Sequence, residues 1–121
     1  MIIDEFKNYK IKSRSVLIVE PNPYHGEILP GFTKYFQDLG YLVDIFIRKE
    51  SNREKPFSKY PKDRMPNLFE GTIEQIKETL FSEKISEYDF IFFSTNVLWE
   101  YPKFVGSIIS YLGFFPRARF G

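Results

Sequence analysis

Residues 15–48, SVLIVEPNPYHGEILPGFTKYFQDLGYLVDIFIR, decide the fold. The stretch opens with the apolar run Val16-Leu17-Ile18-Val19 and ends it at Glu20. A short Val- and Ile-rich run with no polar residue suits a strand buried on both faces. Leu42, Val43, Ile45, Phe46 and Ile47 form a second such run, with Asp44 as its one exception. Between the two, Ile28, Leu29, Phe32, Phe36 and Leu39 recur at three- and four-residue steps, which puts them on one helical face. Pro30 fits only a first helical turn, where its missing N–H is not needed, so the helix begins near residue 29 or 30. Gly40 stands where a helix C-terminus takes a left-handed residue. The reading is strand, loop, helix, strand, with a right-handed crossover between two parallel strands.

The rest of the chain continues the alternation. Residues 72–86 carry a helix with a capping box, Thr72 with Gln75, and a buried stripe of Ile73, Ile76 and Leu80. Residues 88–95 read as a third strand around Phe90-Ile91-Phe92-Phe93. Pro102 then starts a helical pattern of Phe104, Val105, Ile108, Ile109 and Leu112, which Gly113 ends. The order βαβαβα predicts an α/β fold: a Rossmann-like, doubly wound three-layer sandwich on a small, mainly parallel sheet. Residues 1–14 are either a short helix packed on the domain or an extended lead-in. Residues 49–71, with Pro56, Pro61 and Pro66 and an excess of Lys and Arg, read as one long polar loop. That loop is either simply solvated or turned towards phosphate or lipid headgroups. Three strands make a small sheet, and 117–121 resembles the approach to a further one. The sequence therefore points to a single domain over 1–121 that is part of a larger two-domain protein, or that completes its sheet with a partner. An added edge strand from the N-terminal segment is the internal alternative.

Composition narrows the function classes. A net charge of +1 over 121 residues offers no global field for nucleic acid or acidic membranes. With no cysteine, thiolate nucleophiles, disulfides and zinc–thiolate sites are excluded. One histidine leaves metal binding poorly supported. Residues 1–10 carry charges at positions 4, 5, 7 and 10, unlike a signal peptide, and no apolar run approaches the roughly 20 residues that span a bilayer. The expected setting is the cytoplasm, with peripheral contact at the inner face of the membrane as an option. Fourteen Phe and eight Tyr are many for this length, so part of the aromatic set is expected in an interface, with a partner or in a homo-oligomer.

Ligands of open parallel sheets bind outside the carboxyl ends of the strands. The loop after the first strand lies at such an end and leads into a helix N-terminus, which favours anions. It has no Gly-rich fingerprint and no P-loop lysine, so neither a dinucleotide nor any other cofactor is predicted. Its candidates are Asn22, Tyr24, His25, Gly26 and Glu27. His25 is the one side chain suited to general-base work near neutral pH, the alternative being an ordinary loop or capping residue. Glu27 is either a contact or a partner of the helix dipole. Ser94, Thr95 and Asn96, after the third strand, share the same rim and either bind ligand or cap the next helix. Trp99 and Tyr101 either stack on a sugar face or pack locally. A phosphoacceptor receiver is disfavoured, since it would want an Asp where Ser94-Thr95-Asn96 stands.

The apolar strand, the loop with His25 and Pro30, the helix ending in Leu39-Gly40-Tyr41 and the following Val43-Asp44-Ile45 resemble the start of a GT-B glycosyltransferase. The resemblance is specific over 15–48 and generic from there to 112. It implies an N-terminal, acceptor-binding half for polysaccharide or glycoconjugate synthesis, a sugar or lipid-linked acceptor, and His25 as base for the acceptor hydroxyl. It also implies that a second, donor-binding half or partner subunit is needed, so the chain alone is not a complete hexosyltransferase. A non-catalytic Rossmann-like interaction module is the alternative, and a flavodoxin-like small-ligand binder a third.

Overall fold

The computed structural model describes residues 1–20, 28–49 and 56–93. Strand β1, Ser15–Glu20, is buried along its whole length, as its apolar run requires. Helix α1, Leu29–Asp38, takes Pro30 in its first turn and is followed by Gly40 at φ 94°, the left-handed position its sequence predicts. Strand β2, Leu42–Arg48, then pairs parallel with β1 in the register Val16↔Val43 and Ile18↔Ile45.

Two findings differ from the sequence reading. First, the stretch over 49–71 is not all loop. Its end is a strand, β3, Asn67–Gly71, preceded by a 3-10 turn at Lys62–Arg64. Only Leu68 and Phe69 are large apolar residues in β3, too few for a periodic signal. The strand exists because β2 offers it an edge, pairing parallel as Ile45↔Leu68 and Phe46↔Phe69. Second, helix α2, Ile73–Leu80, is shorter than expected and gives way to a 3-10 turn over Glu83–Glu87. Its start agrees closely with the sequence. Gln75 N–H donates to the Thr72 hydroxyl at 3.2 Å and the Thr72 N–H donates to Gln75 Oε1 at 2.9 Å.

Strand β4, Phe90–Phe93, pairs parallel with the other side of β1. The sheet therefore has four strands among the described residues, all parallel, in the order β3-β2-β1-β4. Helices cover both faces. Leu29 and Phe36 of α1 pack with Val16, Ile18, Val43, Ile45 and Ile47. Ile76 and Leu80 of α2 pack on the opposite face with Leu17, Val19, Phe46 and Phe69. This is the doubly wound α/β arrangement the alternation predicts.

The N-terminal segment belongs to the second face. Ile3–Asn8 is a 3-10 helix that buries Ile3 and Phe6. The Phe6 ring meets Phe46 edge-on at 5.0 Å and Phe69 at 5.3 Å. Ahead of it, Ile2 bridges Glu70 in parallel fashion, and the Met1 amino group donates to the Leu68 carbonyl at 3.1 Å. The segment thus combines a short helical turn packed on the domain with one residue of edge pairing on β3. It also absorbs part of the aromatic excess, since Phe6, Phe46, Phe69 and Tyr88 are among the most buried side chains.

Candidate functional site

The strand order sets where a ligand meets this sheet. From β1 the chain moves through α1 to β2 on one side, and it later returns through α2 to β4 on the other. The order reverses between β1 and β4, and α1 and α2 lie on opposite faces, so their ends diverge there. A crevice at the carboxyl ends of such a strand pair is the usual ligand site of open α/β sheets. Val19 and Phe93 stand side by side at this rim. Glu20, the last residue of β1, is fully buried there, beside Ile47 of β2. The N-terminal end of α1 begins at Ile28 without a side-chain cap. Its first-turn N–H groups, Pro30 excepted, form the positive end of a ten-residue helix.

In chain order, the residues singled out from sequence follow β1 or β4. Asn22, Tyr24, His25, Gly26 and Glu27 fall between β1 and α1, and Ser94, Thr95 and Asn96 come directly after β4. All eight, with Trp99 and Tyr101, lie outside the described residues. Among the described residues no group of three His, Cys, Asp or Glu side chains could hold a metal ion. No helix among them is long and apolar enough to cross a membrane.

A second polar constellation sits at the opposite, amino end of the sheet. Asp44, the one acidic residue inside β2, is 1% exposed. Three donors close on its carboxylate. Tyr9 donates its hydroxyl to Oδ1 at 3.0 Å, Asn67 Nδ2 donates to the same oxygen at 2.9 Å, and Tyr88 donates to Oδ2 at 2.7 Å. Asn67 Nδ2 also lies 3.0 Å from the Tyr9 oxygen. Hydrogen bonds of this kind to an ionised acceptor are what a buried carboxylate requires. Burial first, and then the Asp44 charge, push the Tyr88 phenol far above its ordinary range, and the same two causes raise Tyr9. Both phenols stay protonated and serve as donors. The Asp44 carboxylate is closed to solvent, so the chemistry here is structural: it ties the N-terminal segment, β2, β3 and the approach to β4 together. In the sequence Asp44 stands out only as an exception. A lone acid in an otherwise apolar central strand is nonetheless a signal that partners must converge on it.

No family model, no curated protein and no solved structure matches this chain. The site therefore rests on topology and on the chemistry of its residues.

Proposed function

We propose that this chain is the acceptor-binding half of a GT-B-like glycosyltransferase of polysaccharide or glycoconjugate synthesis. The observation that supports it is the reversal of strand order between β1 and β4, with the His25 loop leading out of β1 and into α1. In this reading the rim holds a sugar or lipid-linked acceptor. A hydroxyl of that acceptor attacks the anomeric carbon of a nucleotide-activated sugar. The new carbon–oxygen bond forms as the bond to the nucleotide phosphate breaks, and His25 takes the hydroxyl proton. The nucleotide is held by a second Rossmann-like half or partner subunit, so transfer needs both. The positive end of α1 favours an anionic group on the acceptor side, such as a lipid-linked phosphate. A cytoplasmic location at the inner face of the membrane suits such an acceptor.

The test is sugar transfer by the assembly that contains both halves, measured with a labelled nucleotide sugar. His25→Ala is expected to lower kcat by roughly 10²- to 10⁴-fold, the usual weight of a general base, without changing the melting temperature. Full activity in that variant removes the His25 assignment. Tight binding of the nucleotide sugar by this chain alone would overturn the acceptor-side reading.

One observation favours the interaction module instead: Tyr35 of α1 and Leu39, which caps its C-terminus, are 61% and 53% exposed. An apolar helix face of that kind suits a protein contact.

A further inference from the structure

Between α1 and β4 runs an open groove of about 460 Å³, lined by Ile28, Gly31, Phe32, Tyr35, Phe36 and Phe92. Apart from the Tyr35 hydroxyl its side-chain lining is hydrocarbon. Residues 28, 32, 35 and 39 fall on one face of α1, so the exposed Leu39 prolongs the same stripe. Gly31 forms a bare stretch of wall, with no heavy atom within 4 Å of where a Cβ would stand. Phe92 is the far wall, set edge-on to Phe32 with centroids 4.7 Å apart. A helix-covered sheet leaves such a groove where one more amphipathic element belongs beside α1.

We propose that this groove is the seat of the chain's own residues 102–112, through the stripe Phe104, Val105, Ile108, Ile109 and Leu112. Three observations select that occupant. Residues 94–121 leave the described chain at Phe93, one residue beyond the groove's own wall. The stripe repeats at one-, three- and four-residue steps, the pattern of a single apolar helical face. The linker 94–101 spans at most about 28 Å at ~3.5 Å per residue, enough to reach along a groove whose wall residue Phe92 comes two residues before it in the chain. A tethered segment also competes at an effective concentration of order millimolar, well above any second copy at micromolar protein. This packing is independent of the proposed catalytic role. It does bear on the interaction module, because a groove filled from within is not offered to a partner.

Hydrogen–deuterium exchange on the chain of residues 1–121 tests it. In the wild type, amides of 102–112 are expected to exchange at least roughly tenfold more slowly than an unstructured peptide of that sequence. Gly31→Phe fills the groove from the α1 side, and Ile108→Asp spoils the stripe from the other. Each is expected to abolish that protection while 15–20 and 42–48 stay protected, which shows that the sheet is intact. Exchange of 102–112 at the unstructured rate in the wild type would overturn the proposal. So would protection that survives Gly31→Phe, or protection that fades on dilution, the mark of a second copy. Should Gly31→Phe unprotect the sheet itself, Ile108→Asp decides, since it leaves every described residue unchanged.

Discussion

Removing the Tyr88 hydroxyl gives a direct measure of what the buried Asp44 constellation contributes. Tyr88 is fully buried and supplies the donor to Asp44 Oδ2 among the hydrogen bonds described, at 2.7 Å. Tyr88→Phe keeps the ring and its stacking on Phe6, 6.4 Å between centroids, and deletes only that bond. A hydrogen bond to a charged group contributes about 1.5–3 kcal/mol, and here the loss leaves a buried carboxylate oxygen without its donor. The expected cost is therefore about 2–3 kcal/mol. With a urea m-value of about 1.5 kcal/mol/M for a domain of this size, the unfolding midpoint falls by about 1.3–2 M. The pH dependence adds a signature. The folded-state pKa of Tyr88 is raised, so its contribution is fully present below the unfolded value of about 10 and is lost as pH rises beyond it. Above about pH 10 the unfolded wild type gains from ionising Tyr88 and the Phe variant does not. The gap between them should narrow by about 1.4 kcal/mol per pH unit. Urea titrations at about pH 8 and at about pH 10.5–11 measure both effects. A variant within about 0.5 kcal/mol of wild type near pH 8 would refute the reasoning, because it would mean that Asp44 Oδ2 does not depend on this donor.

The same packing gives three further outcomes. Thr72→Ala removes one half of the capping box and should cost about 1 kcal/mol in the same titration. Gly71→Ala would bring a Cβ to 2.6 Å from Ile3 Cγ2, so the N-terminal turn must shift. About 1–3 kcal/mol of destabilisation is expected, with exchange of residues 3–8 accelerated more than that of 15–20. Phe6→Ala empties a site between Phe46, Phe69 and Tyr88 and should cost about 3–5 kcal/mol by thermal or urea unfolding.

Local signals carry most of the fold that is legible in the sequence. The runs at 16–19 and 42–47, Pro30, Gly40 and the Thr72–Gln75 box each act within a few residues, and each appears in the structure where the sequence puts it. Strand β3 is hidden because its status depends on β2, more than twenty residues earlier in register. The Asp44 constellation is hidden for the same reason, its donors lying 35, 23 and 44 residues away. For residues 1–14 the sequence leaves helix and edge pairing both open. The contacts of Phe6 with Phe46 and Phe69, and the bridge from Ile2 to Glu70, show that the segment uses each in turn. The rim after β1 and β4 is legible from the alternation alone, since carboxyl ends of parallel strands converge there. The residues expected to act at that rim, His25 among them, lie outside the described residues.

The reversal of strand order has a consequence for the birth of the chain. β1 is made early, yet its second neighbour, β4, emerges about seventy residues later. At ~5–20 residues per second, the central strand of the sheet waits roughly 4–15 s with one flank unpaired. During that interval β1 and β2 present the open edge that aggregation exploits. Synthesis of this protein should therefore lean on whatever shields nascent hydrophobic strands at the ribosome, and chains stalled before residue 90 should be the ones that precipitate.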